Sequence, residues 1–318
     1  MNHSKSLFPQ PTLWPTTKAG VMKVAESWYS PSWVSVDENA IQSLPIMDVK
    51  IGAESSMTLK EPPSSWDSQI QRSIAVNSLN FQFWDILEDG TAQGQYVRYQ
   101  HNGKAGALAM KEAFDRAWQD TSSPLHRILA GGHPLGLDDI KAMFGDIPSP
   151  ESRIAVLSEI LDPFKLRQAA EKVEVALFER QELGVKEASE LAAIFPFSYG
   201  DKVLKKAQLA LSETWVQAQQ SGLSIRADLT AFADYQIPNV LRHLGVLKYN
   251  QAMADQIDRR NPIEEHSPEE RAIRGASLIA MEKIAMHHGV PVAALDHFIW
   301  TLRNDVKTPF HLTYTVAY

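Results

Sequence analysis

The sequence predicts a mainly α-helical chain with room for one small β-hairpin, and three observations carry that expectation. Beyond Gly103, apolar residues recur three and four positions apart in one segment after another, the spacing that lines up one face of a helix. Helix punctuation accompanies them. Ser267-Pro-Glu-Glu270 is a capping box with proline at the first helical position, and Gly289 followed by Pro291 is a stop. Alternating aromatic and polar residues, the strand signature, are confined to the region around residues 77–100. At 318 residues, 44% of them hydrophobic, the chain can bury roughly 75% of its unfolded surface without staples. No repeat or charge shift marks a linker, so a single helical domain over 1–318 is expected.

Taken in order, residues 1–35 hold four prolines and three tryptophans with no clear period, and read as an irregular arm packed onto the body through its aromatics. The Pro/Ser-rich stretch Lys60–Ser65 precedes a helical pattern through Ile70, Ile74 and Val76. Asn77–Ile86 and Gln95–Gln100 then flank Asp89-Gly90, which predicts the hairpin. Helical periods follow at 104–119, 151–180, 186–194 and 201–220, where Leu204, Leu211 and Trp215 form a stripe. Two short helices are expected at 238–244 and 292–303, on either side of the long capped one.

Composition excludes several classes. There is no cysteine, so neither disulfides nor thiolate-bound zinc are available, and a reducing cytoplasm fits. The formal charge of -7, with Lys and Arg scattered, argues against a nucleic-acid partner. No apolar run reaches the ~18 residues of a membrane span, and the N-terminus lacks a secretory apolar core. GxGxxG, GxxxxGK[ST], HExxH and GxSxG are all missing. His287 and His288 are adjacent, pointing about 100° apart on a helix, which suits a helix C-terminus better than a metal. No cofactor and no metal are expected, and a monomer is the default.

Three segments look unlike ordinary packing: Asn80-Phe-Gln-Phe-Trp84, the run Phe232–Tyr249, and Leu295–Trp300 followed by Pro309-Phe-His311. Within them single residues are ambiguous. Asp234 either caps a helix containing Pro238 or is a carboxylate tuned among aromatics. Lys205, at helical spacing beside Gln208 and Ser212, either lies on a solvated face or serves a site. Asp296 either caps the final helix or faces a ligand.

It is the order of these segments that resembles a known family. Asn80-Phe81…Trp84, Lys205-Lys-Ala-Gln208, Phe232–Tyr249, Arg274-Gly-Ala-Ser277, Asp296…Trp300 and Pro309-Phe-His311 together resemble the queuosine salvage proteins, which are queuosine 5'-phosphate N-glycosylase/hydrolases. The likeness runs from about residue 77 to the C-terminus. Two departures stand out: no histidine lies between His3 and His101, and Thr301 follows Trp300 where relatives tend to carry an acid.

The resemblance implies a helical fold related to helix-hairpin-helix DNA glycosylases, acting on a small 7-deazaguanine nucleotide rather than on nucleic acid. It implies that Asp234 is the catalytic carboxylate, with Phe232, Tyr235, Asp296, His297 and Trp300 around the base, and with Asn80, Trp84 and Lys205 as further binding residues. The chemistry is compatible. Breaking C1'–N9 builds positive charge on the ribose, and one carboxylate near C1' can stabilise it and activate water, or attack to form a covalent intermediate. Queuine has no N7 to protonate, so departure must be helped elsewhere; Asp296 could accept from N1–H and the 2-amino group. Trp84, Phe232 and Trp300 are stacking candidates. Lys205 is assigned to the 5'-phosphate or a ribose hydroxyl, with Arg274 and His311 as phosphate helpers and a Schiff-base role for Lys205 as a minor option. The alternatives are a nucleic-acid base glycosylase on the same scaffold and a non-catalytic binder of modified nucleosides.

Overall fold

The structure, a computed structural model, describes residues 14–45, 49, 65–89 and 94–318. The first 13 residues of the expected arm, Lys60–Ser64 and the Gly90 turn position lie outside the described residues. Fifteen α-helices dominate what is described, joined by four two-stranded pairs. No described helix is long and apolar enough to cross a membrane.

The chain opens with α1 (Lys18–Trp28), β1 (Val34–Val36), α2 (Glu38–Gln42) and α3 (Trp66–Ser78). Residues 18–28 were read above as irregular arm, and this is a correction. Thr17 caps α1 by accepting from Gly20 N–H, and Val21 and Ala25 are fully buried against the core. Only these two positions of α1 are fully buried, with Met22, Val24 and Trp28 packed partly against the core. The three tryptophans do pack on the core as expected.

The hairpin follows as β2 (Trp84–Leu87) and β3 (Gln95–Arg98), antiparallel with Trp84 opposite Arg98. Next come β4 (Gln100–His101), β5 (Lys104–Ala105) and α4 (Ala107–Gln119), so the expected helix starts three residues late, after a tight strand pair. Then follow α5 (Pro124–Leu129), α6 (Leu137–Phe144), α7 (Pro150–Ile160) and α8 (Pro163–Val175). The single helix read over 151–180 is broken between α7 and α8. Pro163 lacks the N–H that a continuous helix needs, and the Asp162 carboxylate accepts instead from Phe164 and Lys165 N–H. A π turn at Ala176–Arg180 ends the stretch.

The second half contains β6 (Glu182–Gly184), α9 (Val185–Ile194), α10 (Pro196–Tyr199), α11 (Lys205–Gln220), β7 (Arg226–Asp228), α12 (Gln236–His243) and β8 (Leu247–Tyr249). It closes with α13 (Gln251–Asp258), α14 (Pro268–His288), α15 (Val292–Thr301) and a 3-10 turn at Leu302–Asn304. The punctuation of α14 is as read: Ser267 Oγ accepts from Glu270 N–H at 3.1 Å, and Gly289 ends it at φ 67°. Where one hairpin was expected, three further pairs exist, including β1 with β8 and parallel β6 with β7. Their strands are two to three residues long and mostly distant in sequence, so no local alternation announces them.

Helices α3 and α11 pack side by side through the middle of the molecule, and α1 lies along α14. Gly275 on α14 makes the second packing possible. A Cβ there would sit 2.6 Å from the Ala25 carbonyl oxygen. The residue named in Arg274-Gly-Ala-Ser277 is therefore glycine because the α1 backbone occupies the space of a side chain.

Candidate active site

Five segments converge on one cleft with about 1100 Å³ of open space, solvent at its mouth included. They are the end of α3 with the loop 79–83, the start of α4, one face of α11, the loop 229–235, and α15 with its 3-10 turn.

The loop 79–83 has little regular structure and is held by buried cations. Arg153, fully buried, donates to the carbonyls of Leu79, Phe81, Gln82 and Pro148, each at 2.9 Å. Its guanidinium also lies 4.3 Å from the Phe81 ring centroid. Lys206 donates to Ser78 O at 2.7 Å. Burial lowers the Arg153 pKa to about 9 and takes Lys206 well below the usual lysine value. So fixed, the loop presents Asn80 and Phe83 to the cleft.

The loop 229–235 is clamped to α11 on two sides. Thr230 and Gln208 exchange hydrogen bonds: Thr230 N–H donates to Gln208 Oε1, and Gln208 Nε2 donates to Thr230 Oγ1, both at 2.8 Å. Arg274 donates to Ala233 O and, through both terminal nitrogens, to Asp201 at 2.9 and 2.6 Å. Asp201 in turn accepts from Lys205 N–H, covering the first turn of α11.

Asp234 sits at the centre of this arrangement. Its Oδ1 accepts from the N–H groups of Gln236 (2.6 Å) and Ile237 (3.2 Å) at the start of α12. Its Oδ2 lies 3.9 Å from Lys205 Nζ. The capping reading of this residue holds, and the same residue lines the cleft. Lys205 is not on a solvated face. Its side chain is 2% exposed, and Nζ donates to Asn80 O at 3.3 Å and Asn80 Oδ1 at 3.4 Å. Burial lowers its pKa, against the pull of Asp234 and Asp296.

Asp296 does not cap α15; it lies in that helix's second turn, inside the cleft wall. Its Oδ2 accepts from Phe232 N–H at 2.9 Å. Burial, with the Asp234 charge nearby, raises its pKa to about 7. Phe232, Tyr235, His297 and Trp300 complete the wall. Tyr235 stacks on Phe310 with centroids 4.5 Å apart, and His297 stacks on Trp300 at 6.2 Å. The buried His297 Nε2 has no partner among the described residues.

Of the residues expected from the sequence, Asn80, Lys205, Phe232, Asp234, Tyr235, Asp296, His297 and Trp300 meet in this cleft. Trp84 does not. It is 1% exposed, packed with Tyr235, Leu312 and Tyr318 behind the wall, so it supports the pocket rather than stacking in it. Neither Arg274 nor His311 is placed to meet a phosphate. Arg274 is 1% exposed and committed to Asp201 and Ala233 O, and His311 is buried beside Tyr318.

Four charged lining residues escaped the sequence reading: Arg98, Lys111, Glu213 and Arg303. Glu213, at the far end, accepts from Lys111, Arg72 and Asn77 at 2.7–2.8 Å. Burial alone would raise its pKa, but the two cations hold it at about 2. Lys111 shares a helical stripe with apolar neighbours, and Arg98 alternates on a short strand, so neither spacing marked them.

Residues 198–318, which hold Lys205, Asp234 and Asp296, match the family described as "Queuosine salvage protein". A protein of Sphaerobacter thermophilus named "Queuosine 5'-phosphate N-glycosylase/hydrolase" is 27% identical over 310 residues, covering 84% of this chain and 90% of that one. A mouse protein of the same name is 26% identical, covering 76% and 80%. A Schizosaccharomyces pombe protein, again so named, is 34% identical over 109 residues, 32% of each chain. Lys205, Asp234 and Asp296 thus fall in the stretch that is similar to the queuosine salvage proteins.

Proposed function

We propose that this chain hydrolyses the N-glycosidic bond of queuosine 5'-phosphate, releasing queuine and ribose 5-phosphate for queuine salvage. One observation carries the reading: the Asp234 carboxylate is fixed by two helix amides on one oxygen and leaves the other for the cleft, beside aromatic walls and a second buried carboxylate. The relatives' shared name supports the substrate.

The assignment of roles follows from charge. As C1'–N9 lengthens, positive charge grows on the ribose, and a preorganised carboxylate stabilises it without reorganising. Asp234, held rigidly, is that group, and it orients water or bonds to C1' itself. Asp296, ionised, accepts from N1–H and the 2-amino group and so fixes the base in the cleft; water adds its hydroxyl to C1' and its proton ends on the departing base. Phe232 and Trp300 flank the base, each stacked contact contributing about 1–3 kcal/mol. Lys205, 3.9 Å from Asp234, donates to a ribose hydroxyl. Kinship with helix-hairpin-helix DNA glycosylases, a cytoplasmic location, a monomeric state and the absence of a nucleic-acid partner belong to the same proposal.

The test is release of free queuine from queuosine 5'-phosphate by the purified protein, followed by chromatography. Asp234→Asn is expected to cut the rate about a thousandfold or more, while queuine still binds. A wild-type protein that retains the nucleotide and releases nothing would be a binder, and the enzyme reading would fall.

A further inference from the structure

The Lys205 ammonium is poorly placed for a phosphate. Its neighbours are Asn80 at 3.3–3.4 Å and Asp234 at 3.9 Å, so an anion bound there would be pressed against the one carboxylate the reaction needs. Like charges at that separation repel strongly in a buried site. The cationic end of the cleft is elsewhere.

Arg98, exposed at the end of β3, and Arg303, half-buried on the 3-10 turn after α15, both line the cleft mouth. Arg303 lies 3.1 Å from the Trp300 ring centroid and donates to Trp300 O, so its guanidinium is anchored on the aromatic wall. Arg98 lies over Gly106: its Nη2 is 3.5 Å from where a Cβ of that glycine would be. Among the described residues, neither guanidinium forms an ion pair with a carboxylate. The backbone between them belongs to Gly106, Ala107 and Leu108, the uncapped start of the 13-residue α4. The two cations repel each other, and the charge of Asp234 offsets this at Arg303 only in part. Burial and then Arg98 hold the Arg303 pKa down to about 10.

We propose that Arg98 and Arg303, one from each side of the cleft mouth, form the subsite that holds the 5'-phosphomonoester, so that the enzyme selects nucleotide over nucleoside. This rests on the nucleotide-hydrolase reading above. Guanidinium groups suit it because their fork matches phosphate oxygens, and the free amides at the start of α4 add donors of the same sign. Placing the phosphate there leaves Lys205 to the sugar.

The experiment compares wild type, Arg98→Gln and Arg303→Gln on queuosine 5'-phosphate and on queuosine. Wild type is expected to prefer the nucleotide in kcat/KM, and each variant to lose about tenfold or more of that preference, chiefly through KM. Ribose 5-phosphate and inorganic phosphate should raise the Tm of wild type and raise that of Arg98→Gln less. Retention of the full nucleotide preference by Arg98→Gln overturns the proposal; that residue is exposed, so its loss leaves the fold intact even if Arg303→Gln fails to fold. If wild type hydrolyses neither compound, the hydrolase reading fails instead, and the Tm comparison decides the anion subsite separately: equal shifts in both proteins overturn it.

Discussion

Asp234 shows how one residue can cap a helix and still line a cleft. Capping α12 consumes one oxygen, and that bond is what prevents the carboxylate from turning away from the cleft. Asp296 offers a sharper test because its pKa is raised to about 7, by burial first. If it must be ionised to accept from the base, kcat/KM should rise with pH through about 7, and Asp296→Asn should flatten that limb while weakening turnover. A rate that falls through the same range would mean the group acts protonated. The stability sign is opposite. A carboxyl whose folded pKa is raised binds its proton more tightly when folded. Its contribution is therefore full below the ordinary carboxylate range and is lost as pH rises through about 7. Unliganded wild type should lose Tm between pH 4 and 8 relative to Asp296→Asn, measured by thermal melts of both proteins.

At the scale of elements, the site depends on loops that have no regular structure of their own. Four carbonyls of the segments 79–82 and 148 converge on one guanidinium, that of Arg153. Replacing it by Met would leave several buried acceptors unsatisfied, and Arg153→Met is expected to cost about 3 kcal/mol or more in urea unfolding. Activity should fall too, because Asn80 and the Lys205 bonds to it ride on that loop. The contact between α1 and α14 gives a second case. Gly275→Ala would drive a methyl into the Ala25 carbonyl and should destabilise by about 1–3 kcal/mol, with little change in KM since Gly275 does not line the cleft. Equal stability of the variant and wild type would mean that α1 gives way without cost.

For the whole molecule, the balance of charge bears on the choice of partner. A net charge of -7 gives no long-range attraction for a phosphate backbone, and the cations near the site are mostly buried in pairs, as with Arg72 and Lys111 around Glu213. A gel shift with duplex and single-stranded DNA should show no complex at physiological salt; a salt-sensitive complex would revive the nucleic-acid glycosylase reading. Residues 34–37 are a structural part of the body, since β1 pairs with β8 and Asp37 N–H donates to Val246 O at 2.9 Å.

Amino-acid order alone determined the helical class, the punctuation of α14 and the β2–β3 hairpin, and it pointed to eight residues that line one cleft, because periodicity, caps and motif order are local properties of the chain. It could not reveal that Lys205 is buried, that Asp296 sits inside a helix, that Trp84 lies behind the wall, or that Arg98 and Arg303 line the same cleft. Those facts depend on which segments pack together across a hundred residues or more. Burial, the pKa shifts it causes, and the pairing of two- and three-residue strands exist only once that packing has excluded water.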